Sequence, residues 1–111
     1  MKHTDNFSFV CKVSELKDKI GKRFYIKNTD IAVFKVDNKF YALSNICSHQ
    51  HVDKMFEGYI EDGCVICPIH GWAFKLENGN VKGGSRGIES FPIKIIDDKI
   101  YINVIEKKIN W

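Results

Sequence analysis

A chain of 111 residues is one domain's worth of sequence, long enough to bury a modest core. Its 17 basic side chains against 14 acidic ones leave a formal charge of only +3, and the lysines are scattered, which argues against nucleic acid or an anionic membrane as a partner. No apolar run approaches the roughly 18 residues that a spanning helix needs.

The opening stretch, MKHTDNFSFV, has no long apolar segment of the kind a secretory signal requires, so the expected location is the cytoplasm. Thiols stay reduced there, and the four cysteines suggest metal or redox chemistry before they suggest disulfides. Short runs rich in β-branched and aromatic residues then follow one another along the chain. They are FSFVC (7–11), RFYIK (23–27), IAVFKV (31–36), FYALS (40–44), GYIE (58–61), CVIC (64–67), AFKL (73–76), ESFPIKII (89–96) and IYINVI (100–105). Turn signals separate several of them: VDNK at 36–39, EDGC at 61–64, ENGN at 77–80 and IDDK at 96–99. Many short strands with regular turns predict an all-β antiparallel sandwich or barrel, as a single domain over residues 1–111. Pro92 demotes its run to an edge or a bulge, because proline has no N–H to give a ladder. Only SELKDK (14–19), with Ser14 as N-cap, and DKMF (53–56) read as helical, and both are short.

Two stretches carry the chemistry. NICSHQHVDK places Cys47 and His49 two residues apart, and CPIHGWAFKL places Cys67 and His70 three apart, giving Cys-x-His-x17-Cys-x-x-His. The intervening segment ends in a hairpin signal, Tyr59-Ile60-Glu61, then Asp62-Gly63, then Cys64-Val65-Ile66. Asp-Gly suits a type I′ turn, in which both central residues need positive φ. A hairpin returns the chain to its starting point, so the two Cys/His pairs can face each other from loops at one end of a sheet. Zinc accepts two thiolates and two imidazoles, but zinc fingers usually put two cysteines on one clip and two histidines on the other. Here each clip is mixed, which also suits a binuclear iron centre. His51, two residues past His49, reads as an exposed loop histidine; Cys11 and Cys64 read as small buried apolar groups inside strands. The run from Gly83 to Gly87 has the glycine content of a phosphate cradle but no following helix, so it is weak evidence for one.

The pair of motifs CSH and CPIHGW resembles the cluster-binding loops of Rieske-type proteins, and specifically of Rieske-type ferredoxins, with the likeness running from FSFVCKVSEL to DDKIYINVI. The resemblance implies a fold of three stacked antiparallel sheets with a small cluster-binding subdomain at about residues 45–75. It implies one [2Fe-2S] cluster per chain, with Cys47 and Cys67 on one iron and His49 and His70 on the other. Neutral imidazoles in place of two thiolates raise the formal charge of the oxidised cluster from about −2 to about 0, which favours reduction. High-potential relatives add a disulfide across the cluster, for which the corresponding residues here are Val52 and Ile69. They also place hydroxyls two and four residues past the second histidine, where this chain has Trp72 and Phe74. The resemblance therefore implies a potential at the low end of the Rieske range. In relatives the third loop, here Gly83–Gly87, shields the cluster and contains proline; this one contains none.

These readings make the protein an electron carrier or oxidoreductase component with no substrate site of its own. The expected partners are an NAD(P)H-dependent reductase and a terminal oxygenase or other acceptor protein. Two other readings stand beside it: a non-catalytic small subunit of a reductase such as an assimilatory nitrite reductase, and a zinc-stabilised interaction module.

Overall fold

The structure is a computed structural model and describes residues 7–46, 53–69, 71–81 and 87–104. Among the described residues ten strands form: β1 (Phe7–Lys12), β2 (Lys22–Ile26), β3 (Thr29–Val36), β4 (Lys39–Ser44), β5 (Tyr59–Glu61), β6 (Cys64–Ile66), β7 (Ala73–Lys75), β8 (Ser90–Phe91), β9 (Ile93–Ile96) and β10 (Lys99–Asn103). They assemble into three antiparallel sheets, ordered β1-β10-β9, β2-β3-β4-β8 and β5-β6-β7.

The four-stranded sheet is the middle layer, and β3 shows why. Successive side chains on a strand point to opposite faces. Ile31 and Val33 join Cys11, Leu16, Ala42, Phe91, Ile100, Ile102 and Val104 in one buried cluster, shared with the β1-β10-β9 sheet. Ala32 and Phe34 join Leu43, Met55, Val65, Cys67, Phe74, Leu76 and Ile88 in another, shared with the β5-β6-β7 sheet. A strand covered on both faces needs apolar residues at consecutive positions, and Ile31 to Phe34 is such a run. The expectation of three stacked antiparallel sheets is met.

Turn chemistry fixes the register. Asp37-Asn38, Asp62-Gly63 and Asp97-Asp98 all take positive φ at both positions, as two-residue turns joining strands of right-handed twist demand. Lys27-Asn28 does the same between β2 and β3, although its lysine gives no strong turn signal. The stretch at 89–96 is two strands, not one. β8 pairs with β4 in the middle sheet and β9 pairs with β10 in an outer one, and the change of sheet falls at Pro92, whose carbonyl accepts a hydrogen bond from Asn103 N–H at 3.0 Å.

The two helix readings shrink to single 3-10 turns at Val13–Glu15 and Met55–Glu57. Helix beyond Glu15 loses to tertiary contacts: Leu16 is buried in the core and extended, and Asp18 bridges to Lys35 beside β3. The Asp18 carboxylate then accepts the N–H of Asp37 at 2.9 Å, which helps hold the β3–β4 turn. Cys11 and Cys64 are buried and free of disulfides, as expected of packing groups. Burial, with Glu15 nearby, pushes the Cys11 thiol up, so it stays protonated.

Candidate metal centre

Of the four candidate ligands, Cys67 lies among the described residues; Cys47, His49 and His70 lie outside them, as do His51 and Val52. Cys67 immediately follows β6 and is 1% exposed, and its sulfur is in no disulfide. The chain turns back within a few residues. Cys67 N–H donates to the Trp72 carbonyl at 2.8 Å, and Gly71 N–H donates to the Cys67 carbonyl at 2.9 Å. Gly71 has φ +74, a left-handed conformation that glycine adopts without the penalty a Cβ would bring. The segment from Cys67 to Trp72 is thus a closed loop between β6 and β7, with Pro68 and Ile69 turned outward and Ile69 half exposed.

The first candidate loop is held at its base by Asn45, which is completely buried. Its Nδ2 donates to the Asp53 carbonyl at 3.0 Å and to Asp30 Oδ1 at 3.1 Å; its Oδ1 accepts Phe56 N–H at 2.7 Å. Its backbone carbonyl accepts Met55 N–H at 3.2 Å, and its own N–H donates to the Asp30 carbonyl at 2.9 Å. One side chain therefore ties the two ends of the segment spanning 46–54, where Cys47 and His49 fall, to each other and to β3. The chain leaving that segment runs directly onto β6. A Cβ at Gly58 would lie 2.5 Å from the Ile66 carbonyl oxygen, so only glycine lets the backbone approach this closely. Ile66 precedes Cys67, and Met55 and Cys67 share one core cluster. The described residues flanking the two candidate stretches thus pack together, while the stretches themselves, with Cys47, His49 and His70, fall outside the described residues.

A third segment closes nearby in sequence to β7. Ile88 N–H donates to the Gly79 carbonyl at 2.8 Å, and a Cβ at Gly87 would collide with that same carbonyl oxygen. Gly79 and Gly87 thus meet backbone to backbone. The proline-free run Gly83–Gly87, Gly87 aside, falls outside the described residues.

Trp72 is partly buried against the core and tilted toward Phe74, ring centroids 6.4 Å apart, which agrees with a packing role. Phe74 is fully buried among Val65, Cys67 and Leu76. Phe74→Tyr would add a hydroxyl to that core and is expected to cost about 1–3 kcal/mol, measured by denaturant unfolding. A reduction potential raised by some tens of millivolts in the folded variant would place the new hydroxyl against the cluster.

Cys67 supplies a buried thiol at the end of β6, and the sequence adds a second thiol and two imidazoles at Cys47, His49 and His70. Residues 6–92 match the model of the Rieske [2Fe-2S] domain. The chain belongs to the Rieske family. It is 37% identical over 76 residues to the anthranilate 1,2-dioxygenase ferredoxin subunit of Burkholderia cepacia, covering 67% of this chain and 69% of that one. It is 36% identical over 103 residues to the 3-phenylpropionate/cinnamic acid dioxygenase ferredoxin subunit of Photorhabdus laumondii, covering 90% and 96%. Among solved structures, a protein described as an NADH-dependent nitrite reductase small subunit from Mycobacterium tuberculosis superposes with a TM-score of 0.84 at 20% identity, covering 89% of this chain and 95% of that one, which shows the shared fold. Membership in the Rieske family brings one [2Fe-2S] cluster with it.

Asn45 is the residue that sequence reading missed. Its role depends on partners at positions 30, 53 and 56, which form no local motif; a polar residue directly before the first ligand loop, after a strand rich in apolar residues, was the available signal.

Proposed function

We propose that this protein is the ferredoxin of an oxygenase system, accepting one electron at a time from an NAD(P)H-dependent reductase and passing it to a terminal oxygenase in the cytoplasm. The observation that carries the reading is the likeness to a dioxygenase ferredoxin subunit over 96% of that protein's length. In this reading residues 1–111 are one Rieske domain, and about 45–75 form its cluster-binding part. Cys47 and Cys67 hold one iron, and His49 and His70 the other. When bound, the cluster supplies a site that takes up and releases a single electron.

The chain's own residues do the rest. Burial of Cys67 keeps water from one thiolate ligand, and hydrogen bonds from Cys67 to the Trp72 carbonyl and from Gly71 to the Cys67 carbonyl tie the described residues on either side of position 70 together. Ile46 and Ile69, each next to a ligand position and exposed by 37% and 50%, give the loops apolar flanks that a protein partner can cover. Among the described residues no helix is long and apolar enough to cross a membrane.

Protein purified without air is expected to be red-brown, with about two irons and two labile sulfides per chain. Dithionite should yield a rhombic EPR signal whose average g lies below that of all-cysteine clusters. Colourless protein holding one zinc would overturn this reading in favour of the zinc-stabilised module. The fold shared with a nitrite reductase small subunit favours a second reading, a fixed subunit of a larger reductase. Stoichiometric co-purification with one large enzyme, seen by native mass, would support it; a free carrier reduced by a separate reductase would not.

A further inference from the structure

Arg23 stands on β2, at the edge of the middle sheet, yet its guanidinium reaches two carboxylates on different elements. Nε donates to Asp30 Oδ1 at 3.0 Å and Nη2 to Asp30 Oδ2 at 2.8 Å, a bidentate pair. The same Nη2 donates to Asp53 Oδ2 at 2.8 Å, thirty residues along the chain. The guanidinium also lies over the rings of Tyr25 and Phe56, 4.9 and 5.9 Å from their centroids.

The two carboxylates need Arg23 for different reasons. The Asp30 side chain is 7% exposed, and a buried charge is costly unless paired, so its pairing with Arg23 and Asn45 is a requirement of the fold. The Asp53 side chain is 47% exposed, and water alone could satisfy it. Its engagement therefore solves a problem of placement, not of solvation. Asp53 closes the segment in which Cys47 and His49 fall, and Asn45 already holds its carbonyl. The hydrogen bond to Asp30 raises the Arg23 pKa above its ordinary value, so the guanidinium stays charged.

We propose that Arg23 is a positioning residue for the cluster: through Asp53 it latches the first ligand loop to the middle sheet, so that the cluster's hold depends on a side chain that touches none of its ligands. This rests on the proposed ligation by Cys47 and His49. The latch itself can be tested with or without a cluster.

The experiment compares Arg23→Gln, Asp53→Asn and the double variant with the unaltered protein and with Ile102→Val. Ile102 lies in the core on the other face of the middle sheet, so that variant lowers stability without touching the loop. Iron release from the reduced protein to a ferrous chelator is expected to quicken roughly three- to tenfold in each single variant, a range set by a charge-assisted bond to a half-exposed carboxylate. The double variant should be no faster than Arg23→Gln alone, because the bond to Asp53 is already absent there, while Asp53→Asn leaves the Asp30 pairing in place and isolates the latch. EPR lines should broaden in these variants and keep their width in Ile102→Val. In cluster-free protein, hydrogen exchange at the Met55 and Phe56 amides should quicken in Arg23→Gln relative to the amides of β3. Release rates equal to the unaltered protein, additive effects in the double variant, or equal acceleration by Ile102→Val would each overturn the latch. Unaltered protein that holds no iron would instead overturn the ligand assignment, and the exchange measurement would still decide the latch.

Discussion

His49→Ala and His70→Ala are each expected to abolish the visible and EPR signature of the cluster, while His51→Ala leaves both intact. The reason is donor chemistry. Iron in a mixed site that loses its one protein nitrogen from a loop must take water or a foreign ligand in its place, and the charge balance that defines the Rieske spectrum goes with it. His51 lies outside the CSH motif that carries the resemblance and reads as an exposed loop histidine. Spectra of the three variants, purified identically without air, check this directly. A bleached His51→Ala beside a coloured His49→Ala would move the first loop's register by two residues.

Asn45→Ala is expected to cost about 2–4 kcal/mol of folding stability and much of the bound iron. The magnitude follows from what is stranded. Phe56 N–H and the Asp53 carbonyl lose a buried partner, and the Asp30 carboxylate loses one of its three hydrogen bonds. Each buried group left without its bond costs about 1–3 kcal/mol, partly recovered by water entering the gap. Denaturant unfolding of the cluster-free protein gives the first quantity, and iron content after gel filtration gives the second. A variant as stable as the parent would show that other contacts suffice to hold the base of the loop.

Much of the fold was legible because it is written locally. Alternating and β-branched runs gave nearly every strand to within a residue or two, and Asp62-Gly63 announced its turn by the φ values that only certain residues tolerate. The Cys/His spacing was legible for the same reason: each pair of candidate ligands lies within four consecutive residues. What stayed hidden was written between distant positions. SELKDK has helical composition, but burial of Leu16 and the bridge from Asp18 to Lys35 hold it otherwise. Pro92 marked a break, yet nothing local says that the strands on either side belong to different sheets. In the polar group of Arg23, Asp30, Asn45 and Asp53 only Asn45 gave a local signal, by its place between an apolar strand and the first ligand loop; the others are ordinary surface residue types until β2, β3 and the loop base are brought together.

The pairing of β1 with β10 has a consequence for how the protein is made. Phe7 lies opposite Asn103 and Lys12 opposite Lys99, so β1 has no partner until β10, the last of the described strands, exists. The middle sheet and the β5-β6-β7 sheet close mostly through neighbouring strands, which form quickly because little chain entropy is lost in bringing them together. On the ribosome, the neighbouring-strand pairs of those two sheets can therefore form while β1 still waits for β10. The sheet that joins β1 to β10 is the part of the described fold that closes last.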